Sequence, residues 1–173
     1  ATLRNFGLKV GVVGTVKFEA RIMELVENLV SYLAVELCGS TSISYQGQDL
    51  DLSVPWRRAT MADLIHEQIG ITVGLDTPID ELRALCDEHD VPWKDSYGAG
   101  KLMLELYEKT AEAAQWQPVF VTEYPVEVSP LARPHREIAG MTERFECIVA
   151  GRELCNAFSE LLDPDDQRDR FLD

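Results

Sequence analysis

Residues 144–161 read RFECIVAGRELCNAFSEL. Two short apolar runs flank Ala150-Gly151-Arg152, the pattern of a β-hairpin closing on a tight turn. Folded simply about that turn, the chain sets Glu146 opposite Glu153 and leaves Cys147 and Cys155 out of direct opposition. Like charges facing each other across an antiparallel pair destabilise it, so two carboxylates among Phe, Cys, Ile, Val and Leu need something to offset them. A shared outer face in water is the ordinary answer for strand glutamates. A divalent cation is the other, and oxygen ligands of this kind suit Mg²⁺. Held by only one or two carboxylates, Mg²⁺ usually serves substrate phosphates.

Beyond the pair, Asn156, Phe158 and Glu160 alternate and so share one face of their strand. An acid, an amide and an aromatic ring on one face suit a bound amino acid. The acid pairs with an ammonium group, the amide with a carboxylate, and the ring packs on the aliphatic chain. Strict alternation puts Glu153 on the other face. A bulge near Leu154–Cys155 is therefore required if all five residues are to line one pocket.

Around this hairpin the 173-residue chain carries enough apolar sequence, 46%, for one domain with a real core. Residues 18–37 place Ile22, Leu25, Val26, Leu29, Val30, Leu33 and Leu37 at helical spacing, and Cys38-Gly39-Ser40 stops that helix. TSISYQGQDLDLS reads as a hairpin about Gly47-Gln48. Thr60 is the expected N-cap of MADLIHEQIG, and Pro78 the first helical residue of IDELRALCDEH. Tyr97-Gly98-Ala99-Gly100-Lys101 lacks the GxxxxGK[ST] spacing of a phosphate loop and reads as punctuation before LMLELYEKTAEAA. VFVTEY is an expected strand, VEVSPLA a second extended piece, and Asp163-Pro164 the start of a last helix. Helices followed by antiparallel strands predict an α+β domain, an antiparallel β-sheet flanked by helices.

Other chemistry finds less support. His66, His89 and His135 have no partner at catalytic spacing, and neither GxSxG nor HExxH occurs. The four cysteines form no CxxC and read as reduced, packed thiols. Glu123 and Glu127, on either side of Pro125, fit a site or a solvated surface equally. A net charge of −14 is poorly suited to gripping nucleic acid unaided but is compatible with binding a cation. No apolar run approaches a membrane span and the start lacks a secretory signal pattern, so the expectation is a cytoplasmic protein with no membrane partner.

VTEYPVEVSPLARP followed by ERFECIVAGRELCNAFSELLDPDDQRDRF resembles the catalytic domain of bacterial-type lysyl-tRNA synthetases, a class II aminoacyl-tRNA synthetase family. The family pattern is close to TEYPxEVSPLAR…TxRFExxxxGxExxNxFSELxDxxxQxxRF, and the similarity runs from about residue 21 to the end. The resemblance implies a lysine–tRNA ligase: lysine and ATP give lysyl-adenylate, and the lysyl group passes to tRNA. By position it implies Glu146 and Glu153 as Mg²⁺ ligands with the ATP phosphates. It also implies Asn156, Phe158 and Glu160 as the lysine pocket, with Glu160 the partner of the ε-ammonium. Arg4, Asn5 and Gly7 match the start of the second signature motif, which makes Arg4 the ATP-phosphate arginine. Phe6 stands where an adenine-contacting Glu is expected, HNPEFT is absent, and Glu19 stands for the acid of the pocket.

The resemblance further implies that residues 1–173 are a partial catalytic domain, from about the second signature motif to just before the third. On this reading the anticodon-binding domain is absent, and the parent enzyme is a homodimer. A non-catalytic synthetase-like paralogue that binds lysine or a protein partner is the alternative.

Overall fold

The computed structural model describes residues 18–172. In chain order these form α1 (Phe18–Cys38), β1 (Ser42–Tyr45), β2 (Gln48–Asp51), β3 (Arg57–Thr60), α2 (Met61–Ile69), α3 (Ile79–Glu88), α4 (Ala99–Thr110), β4 (Val119–Thr122), β5 (Arg144–Val149), β6 (Arg152–Phe158) and α5 (Pro164–Leu172). The architecture is α+β, as expected from the sequence. One sheet in the order β3-β4-β5-β6 carries the core, with β1-β2 as a separate hairpin.

The sheet is mixed, not wholly antiparallel. β3 and β4 run parallel, because the chain leaves β3 through α2, α3 and α4 and must return in the same direction, as a helical crossover does. Thr60 ends β3 and caps α2 in one step. Its hydroxyl accepts from the Asp63 N–H at 3.0 Å while Asp63 accepts from the Thr60 N–H at 3.1 Å, a reciprocal capping box.

The two sheet faces bury different partners. Ala59, Val119, Val121 and Ile148 pack against Leu64, Ile65, Leu82, Leu102 and Leu106 of α2–α4. Phe120, Phe145 and Cys147 face Met23 and Ala34 of α1 together with Leu50, Leu52 and Trp56. On that side Phe120 stacks on Trp56 at 5.6 Å and meets Phe145 edge-on at 5.4 Å.

Several expectations are corrected in detail. The α1 stripe divides in two: Ile22, Val26 and Val30 pack inward with Met23 and Ala34, whereas Leu25, Leu29, Leu33 and Leu37 are exposed. Seven apolar positions span more of a helix than one packed face covers. The first hairpin turns on Gln46-Gly47, both with positive φ (51° and 81°), and pairs Tyr45 with Gln48. That is the two-residue geometry whose twist matches the strands. Pro78 is extended (ψ 134°) and precedes α3 instead of opening it.

VEVSPLA is not extended, since Val126–Val128 form a single 3₁₀ turn. That turn aims Glu127 at the start of α4, where its carboxylate accepts from the Gly98 N–H at 2.8 Å and the Lys101 N–H at 3.1 Å. A helix N-terminus exposes unpaired N–H groups and a partial positive charge, and a residue distant in sequence satisfies both. Glu127 thus has a structural role. Glu127→Ala is expected to lower the unfolding free energy by about 1–2 kcal/mol, the cost of a lost cap. A urea midpoint unchanged from wild type would refute it.

Candidate functional site

The hairpin closes on Ala150-Gly151, with Val149 paired to Arg152 and Ile148 to Glu153. Both turn residues have positive φ (53° and 68°). The turn is pinned from outside: the Ala150 N–H donates to the Trp116 carbonyl and the Gly151 N–H to that of Gln115, each at 2.9 Å. A Cβ on Gly151 would lie 2.8 Å from the Ala113 carbonyl oxygen, so only glycine permits this approach.

Past Ile148 the register shifts, and Cys147 faces Cys155 while Glu146 faces Asn156. Leu154 is therefore the extra residue of a β-bulge, where the sequence required one. Two expectations change with it: Glu146 does not oppose Glu153, and the two cysteines are directly opposed. Residues paired across antiparallel strands point to the same side. Glu146, Ile148, Glu153 and Asn156 thus share the α2–α4 face of the sheet, and Arg144, paired with Phe158, shares it too. The Asn156 amide nitrogen donates to Glu153 Oε1 at 2.7 Å, which ties the lysine-pocket candidate to the second metal candidate.

Glu146 is 8% exposed and forms an ion pair with Arg144. Arg144 also donates to the Val128 carbonyl at 3.1 Å and to Ser129 Oγ at 3.0 Å, and its guanidinium lies 4.6 Å from the Tyr124 ring centre. Beneath them the Tyr107 and Tyr124 hydroxyls are buried without well-formed hydrogen bonds. Burial and then neighbouring carboxylates, Glu146 among them, push both phenols up. Burial also raises the carboxyls of Glu108 and Glu112, reinforced at Glu108 by Glu105 and Glu146 against Lys101 and Arg144, and at Glu112 by Glu108, Glu146 and Glu153. Among the described residues Arg144 is the cation bonded to Glu146, and Glu108, Glu112 and Glu153 add negative charge around it. Sequence reasoning singled out none of Tyr107, Glu108, Glu112, Tyr124 or Arg144. Their signal is the strand register and the pinned turn, which no local spacing reveals.

The distal end of the site is built by pairing between distant segments. The Arg133 N–H donates to the Ser159 carbonyl and the Leu161 N–H to the Leu131 carbonyl, so FSEL runs along PLAR. This leaves Glu160 exposed beside Ala132 and Phe158 half-buried. Arg4 lies outside the described residues. Glu19 opens α1, where burial and then the charge of Glu143 push its carboxyl up to about 7, opposed by Arg136. Glu123 is half-buried with φ 61°, raised by burial and by Asp63 and lowered by His135. Among the described residues no three His, Cys, Asp or Glu side chains form a ready-made metal cage, and no helix is long and apolar enough to cross a membrane.

The mixed sheet, its bulged terminal hairpin and the acids on one face belong to a chain whose sequence matches a known family. The chain belongs to the class II tRNA synthetases of the D, K and N group, whose family model matches residues 13–173. Within that group it is similar to proteins called lysine–tRNA ligase. It is 47% identical over 153 residues to that of Synechococcus sp. (strain CC9605). It is 44% identical over 168 residues to that of Prochlorococcus marinus (strain MIT 9211), and 43% over 151 residues to that of Nostoc punctiforme (strain ATCC 29133 / PCC 73102). Each comparison takes in 87% of this chain but only 27–30% of the relative, so the chain spans less than a third of their length.

Proposed function

We propose that these residues are a portion of the catalytic domain of a lysine–tRNA ligase and carry its metal-and-lysine hairpin. The observation that supports this reading most is the bulge at Leu154, which aligns Glu146, Glu153 and Asn156 on one face. Glu146 and Glu153 would hold Mg²⁺ together with ATP phosphates. The donor set fits: two carboxylates short of a complete cage, in a field with excess negative charge, suit a hard dication that takes its remaining ligands from phosphate and water. When bound, the ion offsets phosphate charge.

The chain's own groups then position lysine. Glu160 pairs with the ε-ammonium and Phe158 packs on the methylenes. The Asn156 amide keeps one N–H on Glu153 and offers its second to the lysine carboxylate. That carboxylate attacks the α-phosphate of ATP, forming lysyl-adenylate and releasing pyrophosphate. The lysyl group then passes to the terminal ribose of tRNA. No protein nucleophile takes part, because orientation supplies the rate. The same reading makes the whole enzyme a cytoplasmic homodimer, with tRNA gripped mainly by surfaces other than this acidic one.

Lysine-dependent ATP–pyrophosphate exchange and calorimetric lysine titration of this chain test the assignment. Glu160→Gln is expected to weaken lysine binding roughly tenfold to a hundredfold, the scale of one charge-assisted hydrogen bond. Unchanged lysine affinity in Glu160→Gln would remove the pocket assignment. Lysine binding with no exchange would fit either a portion of the catalytic domain that is inactive alone or a lysine-binding paralogue.

A further inference from the structure

The bulge that aligns the acids has a second effect on the other face of the hairpin. Had the pairing continued unbroken from Val149↔Arg152, Cys147 would have met Leu154 and Glu146 would have met Cys155. The extra residue instead brings Cys147 and Cys155 into direct opposition, on the face that packs against α1. Directly opposed residues in an antiparallel pair have Cα atoms roughly 4.5 or 5.5 Å apart. Both separations fall in the range of about 4.4–6.8 Å that a disulfide requires. All four cysteines are free; Cys38 is exposed at the end of α1 and Cys86 is buried in α3, bonded to the Leu102 carbonyl.

We propose that Cys147 and Cys155 form a peroxide-sensitive dithiol that closes to an intramolecular cross-strand disulfide behind the carboxylate face of the hairpin. The two thiols divide the work. Cys155 is half-buried, so a small oxidant reaches it, whereas Cys147 is fully buried. The more accessible thiol is the one that reacts first.

The step balances. The Cys155 thiolate attacks one oxygen of hydrogen peroxide, the O–O bond breaks, and hydroxide leaves, giving a sulfenic acid. The Cys147 sulfur then attacks the sulfur of that acid. The S–S bond forms, the S–O bond breaks, and the departing hydroxyl takes the Cys147 proton to leave as water. In sum two thiols and one peroxide give one disulfide and two waters, the thiols losing two electrons and the peroxide gaining them. The bond fastens the register in which Glu146 faces Asn156. The inference does not rest on the lysine–tRNA ligase reading, since it needs only the strand pairing.

The test treats the reduced full chain with a small excess of hydrogen peroxide, removes the oxidant, and blocks remaining thiols with N-ethylmaleimide under denaturing conditions that expose the buried Cys86. Intact mass should show a species that has lost two hydrogens and carries two blocked thiols. Trypsin cuts after Arg152, so the new bond should hold two peptides together, one with Cys147 and one with Cys155, and dithiothreitol should separate them. Cys147→Ser should accumulate a dimedone-reactive sulfenic acid on Cys155. Cys155→Ser should leave Cys147 at least tenfold slower to oxidise than in wild type. If a serine variant fails to fold, the wild-type peptide map still decides. Cross-linked dimers through Cys38, or sulfinic acid on Cys155 with no linked peptide, would overturn the proposal.

Discussion

Replacing Glu27 by alanine is expected to lower the unfolding free energy by on the order of 3 kcal/mol, read as a shift of the urea midpoint. Glu27 is 4% exposed on the inner side of α1. Its Oε2 accepts from the Trp56 N–H at 2.8 Å, and the two oxygens take a fork from Arg58 at 2.7 and 2.9 Å. Arg58 in turn lies 5.1 Å from the Phe120 ring centre. One carboxylate therefore joins α1, the approach to β3 and the aromatic core beneath the sheet. Alanine leaves the Trp56 N–H buried without an acceptor, which costs the full desolvation of that group. The Arg58 side chain is 35% exposed and partly recovers its hydration, which keeps the effect near the lower end for a broken buried pair. Glu27→Gln separates the two contributions: it keeps an acceptor for Trp56 and loses only the charge, so about half the cost should remain. Equal losses in both variants would mean that the ion pair alone matters.

Glu27 also marks the boundary of what the sequence makes legible. The helical spacing of residues 18–37 is plain, but an acid inside that stripe carries no local sign of a partner 31 residues away in Arg58. Glu127 is alike: beside Pro125 it fits a site or a solvated surface equally, and only the folded chain brings it to the start of α4. The parallel pairing of β3 with β4 is hidden for the same reason, since strand direction depends on where the crossover helices return the chain. Thr60 and the Gly151 turn are legible because caps and tight turns depend on neighbours a few residues apart. The bulge lies between these cases. No residue announces it, yet alternation puts Glu153 on the wrong face for a shared site, and that conflict places the irregularity within a residue of Leu154.

Glu146→Gln is expected to reduce Mg²⁺-dependent ATP–pyrophosphate exchange by on the order of 10²–10³-fold, on the proposed reading of the hairpin, while leaving lysine affinity within about twofold. The asymmetry follows from the geometry. Glu146 is the buried acid of the face, paired with Arg144 and across from Asn156, whereas Phe158 and Glu160 lie further along the strand and its extension. Glutamine keeps the shape and an oxygen toward Arg144. Arg144 retains the Val128 carbonyl and Ser129 Oγ, so the fold should hold and the thermal midpoint should move little. What disappears is one negative charge at the centre of a field shared with Glu108, Glu112 and Glu153. That change has a readout of its own: with less neighbouring charge, Glu108 and Glu112 should titrate closer to the ordinary carboxylate range, visible in carboxyl chemical shifts against pH. Parallel loss of lysine binding and exchange would show instead that Glu146 holds the hairpin together, and the metal assignment would fail.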